Sequence, residues 1–257
     1  MTRFYIYGSD ARWDQLALFL AEKGEVLREG APREKGDVLI FPFNIKEEEV
    51  LERILSAPEG TRLFLWRVTD AERSLAEKKG DALYALGEDR ILRAQNALAT
   101  AEGCLASVLS SRDRTLFGET VLVCGFGHCG SAIARLFWLC GCEVYVYSRA
   151  HGRQLAEAEG FNTLSTLHTR RAAMFSLVLN TVPAPIFPEE VLRQFSSGTD
   201  LYQIASGDSG VDEAFCREKG IRVIPLPALP ARFSPRSEAE LLEEIILEQC
   251  GEVAPWQ

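Results

Sequence analysis

Along this chain, short apolar runs alternate with stretches in which apolar residues recur every three or four positions. Arg3–Gly8, Asp37–Phe43 and Arg62–Trp66 have the length and composition of strands. Ala11–Lys23, carrying Leu16, Leu18, Phe19 and Leu20, has helical spacing, as do the charged stretches Lys46–Ala57 and Ala71–Lys79. Strand and helix in strict alternation imply parallel strands joined by crossover helices. The pattern therefore predicts a small Rossmann-like or flavodoxin-like domain over the first part of the chain.

Asp89–Ser111 is the longest helical pattern, with Ile91, Ala94, Leu98, Ala101, Leu105 and Val108 expected on one face. Gly103 interrupts it at a cost of about 1 kcal/mol against alanine, which points to close packing or ligand approach. Beyond it the alternation resumes. Strands are predicted at Glu119–Cys124, Glu143–Tyr147, Ser176–Asn180, Asp200–Ala205 and Arg222–Ile224, with helices at Ser131–Cys140 and near 188–195 and 211–219. Ser237–Cys250 reads as an acidic amphipathic helix. The expected architecture is two Rossmann-like parallel-sheet α/β domains with a long connecting helix and a C-terminal helix returning to the first domain. The expected boundaries are 1–112 for the first domain and its helix, 113–226 for a nucleotide domain, and 227–257 for the final loop and helix.

One turn carries specific chemistry. In V-L-V-C-G-F-G-H-C-G, Gly125, Gly127 and Gly130 stand in G-x-G-x-x-G spacing, after a predicted strand and before a predicted helix. In that context the first glycine permits the turn, the second lets backbone approach a pyrophosphate, and the third lets helix and strand pack closely. The helix start then offers free N–H groups to phosphate. The segment Gly125, Phe126, Gly127, His128, Cys129 and Gly130 is therefore the candidate dinucleotide turn. NAD-binding chains usually place Asp or Glu at the end of the next strand to hold the ribose 2′-hydroxyl. This chain has Ser148 and Arg149, a hydroxyl and a guanidinium suited to a 2′-phosphate, so NADP is expected over NAD. Arg153 is a second candidate contact. Thr181, Val182 and Pro183, after one strand, and Ser206, after the next, are expected at the carboxyl edge beside the nicotinamide. His128 is expected to touch phosphate or to lie exposed.

Composition narrows the partners. The chain has 257 residues, 47% hydrophobic and 25% charged, with a net charge of -9. That charge argues against nucleic acid, which needs a basic surface. No apolar stretch is long enough to span a bilayer and no cleavable apolar leader opens the chain, so a cytoplasmic protein is expected. The seven cysteines and three histidines form no disulfide or zinc spacing, and no metal site is expected.

With these motifs placed, the chain resembles the A subunit of bacterial dipicolinate synthase, the sporulation enzyme. Gly8-Ser9-Asp10-Ala11-Arg12 is similar to that family's G-G-D-x-R turn, and Asn96-Ala97-Leu98-Ala99-Thr100-Ala101-Glu102-Gly103 to its N-S-x-P-T-x-E-G motif. The glycine turn and Asn180–Pro183 match in place. The later G-L-P-G-x-x-A-P is retained only as Ala228-Leu229-Pro230-Ala231-Arg232-Phe233-Ser234-Pro235, and Ser-Arg-Pro-Gly-Gly appears as 206–210 without its arginine. The resemblance implies NADP-dependent oxidation of a dihydrodipicolinate-type ring to pyridine-2,6-dicarboxylate in the mother cell of a sporulating bacterium. It also implies that the partner is a flavoprotein-like B subunit, and a homo-oligomer is expected. The motif residues supply candidate chemistry: Arg12 as a carboxylate clamp, Asp10 as its orienting partner or as base, and Glu102 as the other base. Asn96 and Thr100, one helical turn apart, are candidate substrate hydrogen-bonding groups. Against these stand plainer roles: Asp10 as a helix cap, Arg12 as an ion-pair partner, Glu102 as an exposed helix residue. Two other functions remain open, a dehydrogenase of another small carboxylate and a non-catalytic NADP-binding assembly protein.

Overall fold

The structure is a computed structural model that describes residues 2–28, 34–43, 45–208 and 210–251. Ser209 and the tail from 252 onward lie outside the described residues. The chain divides into two compact units, 1–95 with 234–257, and 96–233.

The first unit is built on a five-stranded, all-parallel sheet of order β2-β1-β3-β4-β5. Its strands are β1 (Arg3–Ile6), β2 (Glu25–Leu27), β3 (Val38–Phe41), β4 (Arg62–Leu65) and β5 (Ala82–Ala85), joined through α1 (Ala11–Ala21), α2 (Glu47–Ser56) and α3 (Asp70–Lys79). This is the order of flavodoxin-like sheets. The central strands β3 and β4 are buried along nearly their whole length, as their continuous apolar runs require. The charged α2 and α3 keep a single apolar stripe: Val50 and Ile54 on α2 and Ala76 on α3 pack beneath Leu39, Leu63 and Leu65. On the other face, the C-terminal helix α10 (Pro235–Cys250) returns and buries Leu242, Ile245 and Ile246 with Leu16 and Leu20 of α1.

The second unit holds a six-stranded, all-parallel sheet of order β11-β10-β9-β6-β7-β8. Its strands are β6 (Thr120–Cys124), β7 (Glu143–Tyr147), β8 (Asn162–Leu164), β9 (Leu177–Asn180), β10 (Asp200–Gln203) and β11 (Arg222–Pro225). The helices between them are α5 (His128–Leu139), α6 (Ala150–Ala158), α7 (Glu189–Leu192) and α8 (Glu213–Lys219), and α9 (Leu229–Phe233) follows the last strand. The strand order reverses at β6, which lies between β9 and β7, so the crevice beyond its carboxyl end is the position where open α/β sheets take ligands.

The strands that the apolar pattern does not predict, β2, β5 and β8, all lie at sheet edges or beside them in short runs of three or four residues, and are only partly buried. Edge strands need no continuous apolar run.

The connecting helix α4 (Arg90–Ser111) differs from expectation in two ways. The division between units falls at 95/96 inside it, where 112 is expected, because the rest of the helix packs into the core of the second unit. Its buried face is also carried only in part by the expected residues: Ala101 and Val108 are buried and Leu105 is half-buried. Ile91 and Leu98 are 67% and 55% exposed, and Ala94 is exposed as well. The other buried positions are Leu92 and then small residues: Ala97, Ala99, Thr100 and Cys104. Gly103 belongs to this face. A methyl group there would press on Phe233 and Leu229, so its role is close packing against α9.

Candidate functional site

The glycine turn uses its three glycines in three distinct ways. Gly125 holds φ +96, where side chains are strained, and its N–H donates to the Tyr147 carbonyl. At Gly130 a Cβ would overlap the Gly125 carbonyl oxygen, so helix and turn meet there only because the side chain is absent. At Gly127 a Cβ would meet nothing within 4 Å. That glycine fulfils no packing need; the space above it is open.

Gly127 is also the N-cap of α5 and supplies no side-chain cap, which leaves the first N–H groups of a 12-residue helix without a side-chain acceptor. The helix begins at His128, three residues earlier than its apolar pattern indicates, so His128, Cys129 and Gly130 form its first turn. Together these features give a pre-formed anion cradle with a partial positive charge behind it.

The cradle opens into a cavity of ≈ 710 Å³. Gly125, Gly127, His128, Cys129 and Gly130 form one wall, Ser148, Arg149 and Arg153 a second, and Thr181, Val182 and Pro183 a third. Arg149 is exposed and makes no ion pair or side-chain hydrogen bond with any described residue. Arg153 lies 3.8 Å from Glu157. The loop opposite is fixed from beneath. The Thr181 hydroxyl donates to the Cys124 carbonyl at 2.8 Å, and the fully buried Asn180 accepts from the Val182 N–H at 3.0 Å while donating to Gln203 at 2.8 Å.

Two expected members of this wall lie elsewhere. Phe126 turns inward, buried in the core and edge-on to Phe161 at 5.7 Å. Its backbone belongs to the turn, but its ring does not line the cavity. Ser206 is exposed and outside the lining, because β10 stands beyond β9 from β6 and its tip does not reach the crevice. Conversely, Tyr147, Ser165 and Ile186 line the cavity although no motif selects them. Ser165 follows β8, one of the short strands without a clear pattern. Tyr147 ends a strand that the sequence shows plainly, one residue before the pair whose chemistry draws attention.

Thr100 on α4 is buried and is not among the residues that line the cavity. Its hydroxyl donates to the Asn96 carbonyl at 2.7 Å. Burial pushes the Cys129 thiol's pKa up, with the Thr100 hydroxyl opposing the shift. Asn96 and Thr100 do share a helix face. Glu102 does not: two residues on, it is turned about 200° around the axis, and it is exposed where Thr100 is buried.

In the first unit, Asp10 caps α1 by accepting from the Arg12 N–H at 3.0 Å. Its carboxylate also holds the Arg12 guanidinium, at 2.6 Å and 3.1 Å. Glu238 of α10 takes the same guanidinium at 3.1 Å. Arg12 is 3% exposed, with the rings of Trp13, Phe43 and Trp66 within 6.0 Å of its Cζ. It is thus an ion-pair centre enclosed by protein groups, and a free carboxylate clamp is not what the structure shows. Burial alone would raise the Asp10 pKa, yet hydrogen bonding and charge from Arg12 hold it below its ordinary value, which disfavours Asp10 as a base. Burial outweighs Arg12 at Glu238 and raises that carboxyl.

Among the described residues no cluster of His, Cys, Asp or Glu is arranged to hold a metal, and no helix is long and apolar enough to cross a membrane. None of the seven cysteines, all among the described residues, is in a disulfide.

Comparison with known proteins agrees with this geometry. Residues 90–217 match the family described as D-isomer specific 2-hydroxyacid dehydrogenase, NAD binding domain. The A subunit of dipicolinate synthase from Bacillus subtilis (strain 168) is 26% identical over 186 residues, which cover 70% of this chain and 61% of that protein. The match thus spans about three fifths of that relative's length. Among solved structures, the A subunit of the Bacillus halodurans dipicolinate synthase superposes with a TM-score of 0.81 at 20% identity, covering 98% of both chains. Its Bacillus subtilis counterpart gives 0.78 at 22% identity, covering 98% of this chain and 96% of that one. Residues 90–217 are therefore similar to a dehydrogenase NAD-binding domain, and the chain shares the fold of the dipicolinate synthase A subunit.

Proposed function

We propose that this protein is the nucleotide-binding subunit of an NADP-dependent oxidoreductase that forms pyridine-2,6-dicarboxylate from a dihydrodipicolinate-type precursor. The observation that carries the nucleotide half of this reading is the open cradle over Gly127, with Arg149 on the adjoining wall unpaired among the described residues. The pyrophosphate would lie against the first turn of α5. Ser148 and Arg149, with Arg153 behind them, would hold the 2′-phosphate where a carboxylate would repel it. Asn180 holds the 180–183 backbone in place for the nicotinamide end. Bound NADP supplies the hydride acceptor. Cys129, which lines the cavity, would contribute a polar contact, and Asn96 and Thr100, joined by the Thr100 hydroxyl on the Asn96 carbonyl, are assigned as substrate hydrogen-bonding groups. Glu102, exposed and without an ionic partner among the described residues, is assigned as the base that takes the ring proton. Arg12 with Asp10 and Glu238 is assigned a positioning role in the first unit.

The substrate and a second, flavoprotein-like partner chain are supported by the relationship to the dipicolinate synthase A subunit; so too are the sporulation setting and the cytoplasmic address. A homo-oligomer is proposed on the same ground.

Two measurements test the reading. Titration of the protein with NADPH and NADH should show preference for NADPH, and Arg149→Ala should weaken NADPH by about tenfold while leaving NADH nearly unchanged, as for the loss of one charge-assisted contact. Equal loss for both nucleotides would refute the 2′-phosphate role. Separately, the lysine-pathway cyclic imine and NADP are supplied to the protein with and without its chromosomal neighbour, and dipicolinate and NADPH are followed. Product that requires the neighbour supports the two-subunit enzyme. Tight NADPH binding without product in either case would instead mark a non-catalytic assembly protein.

A further inference from the structure

The second wall of the nucleotide cavity holds more hydrogen-bonding capacity than Ser148, Arg149 and Arg153 account for. Ser165 lines the same cavity. It follows β8, and the register of the sheet places it. The last pair between β7 and β8 is Tyr147 with Leu164, so the chain leaves both strands at the same height, with Ser148 on one and Ser165 on the other. Adjacent strands lie about 4.8 Å apart, which lets two such hydroxyls reach one phosphate group. Ser165 is exposed, and its hydroxyl makes no hydrogen bond with any described residue.

Helix α6 starts in this wall. Its N-cap is Arg149, which supplies no side-chain acceptor, so the first N–H groups of a nine-residue helix are left without one. Gly152 lies in that first turn, and a Cβ there would overlap the Ser148 hydroxyl oxygen, so only glycine lets Ser148 lie over the helix start. Among the described residues that line the cavity there is no Asp or Glu. Glu157, outside the lining, lies 3.8 Å from Arg153 and accepts the Thr163 hydroxyl at 2.7 Å. Guanidinium groups, two hydroxyls and backbone N–H groups thus meet on one wall with no carboxylate there to offset them. Such a set complements a phosphate dianion and its three acceptor oxygens.

We propose that Ser165 is a further specificity-determining residue for the dinucleotide, its hydroxyl donating to the 2′-phosphate held by Ser148, Arg149 and the start of α6. The inference rests on the NADP reading of this site and adds that NADP is told from NAD by two strands, β7 and β8, where the glycine-turn pattern points only to the first. A ribose 2′-hydroxyl extends less far than a phosphate, so Ser165 contributes to NADPH binding and not to NADH binding.

Fluorescence titration of the full chain with NADPH and NADH tests this, with adenosine 2′,5′-bisphosphate and AMP as probes of the 2′ group alone. The wild type should prefer NADPH to NADH, and the bisphosphate to AMP. Ser165→Ala, at an exposed position with no bond to lose among the described residues, should weaken NADPH and the bisphosphate about tenfold and leave NADH and AMP within about twofold, as for the loss of one hydrogen bond to a charged group. Ser165→Asp sets a carboxylate against the phosphate and should weaken NADPH at least about a hundredfold while NADH stays within about threefold. Ser165→Ala that weakens both dinucleotides equally or neither, or Ser165→Asp that binds NADPH as the wild type does, overturns the assignment of Ser165 while a wild-type preference for NADPH still stands. A wild type that gains nothing from the 2′-phosphate overturns the NADP reading itself, and this inference with it.

Discussion

The two sheets begin in the same way and use the beginning differently. In each unit the strand at the switch point runs into a glycine-containing turn and then a helix, β1 into α1 and β6 into α5. At α1 the helix start is filled from within: Asp10 places its own carboxylate on the first N–H groups, and Trp13 packs where a side chain on Gly8 would have to go. At α5 the start has no side-chain cap and the space over Gly127 is clear. One helix dipole is satisfied by a protein carboxylate and the other is left for a ligand's phosphate. A shared architecture therefore says little about where a ligand binds; the contents of each helix start say more.

The largest effect that would sharpen this contrast lies in the filled site. Arg12→Ala removes the cation between two carboxylates and leaves Glu238, fully buried, without its partner. Breaking a buried pair from one side costs about 3–5 kcal/mol. Denaturant unfolding should show that loss, with NADPH affinity of the surviving folded fraction unchanged. A variant of ordinary stability would mean that Arg12 is not the internal tie described above.

Next come the glycines of the open site, which should part company. Gly130→Ala forces a methyl into the Gly125 carbonyl and should lower both the melting temperature and NADPH affinity, the latter by about a hundredfold, or about 2.7 kcal/mol. Gly127→Ala meets no protein atom, so its melting temperature should stay near wild type while NADPH affinity still falls. If Gly127→Ala bound nucleotide normally, the clear space would not be the phosphate seat.

These same residues show what can be read from sequence and what cannot. The glycine turn is legible because its constraint is local: three backbone requirements fall within six residues, between two elements with strong periodicity. Ser148 and Arg149 are legible because a strand end can be counted. The buried face of α4 is legible only in part: Ala101 and Val108 are found, but Ala97, Ala99 and Gly103 bury by being small, and the same pattern selects Ile91 and Leu98, which are exposed. Glu238 is hidden for another reason. It lies 226 residues from Arg12 along the chain, and only the return of α10 onto α1 makes an acidic residue on a charged helix into a buried ion-pair partner. Ala228 sits between these cases: it stands where the resembled family has glycine, and it is the one non-glycine among the described residues at positive φ, +52.

The smallest predicted effect concerns the charge at the filled helix start. Arg12 holds the Asp10 pKa below the ordinary value of 3.8, so the folded state binds that proton less tightly than the unfolded chain does. Asp10 therefore contributes stability above about pH 4, and the contribution is lost as pH falls through its lowered folded-state value. Glu238 works in the opposite sense. Its pKa is raised above 4.5, so its contribution is greatest in acid and is lost as pH rises through the raised value. Asn at position 10 keeps an acceptor for the helix cap but carries no charge. Asp10→Asn should cost about 0.5–1 kcal/mol at neutral pH, since the carboxylate is one-third exposed and screened by solvent. Below about pH 4 the variant and the wild type should begin to converge, and they coincide once pH is below the lowered folded-state value, where protonation removes the same charge from the wild type. Unfolding free energies measured across that range decide it: curves that stay parallel through the acid limb would show that Arg12 is balanced by Glu238 alone.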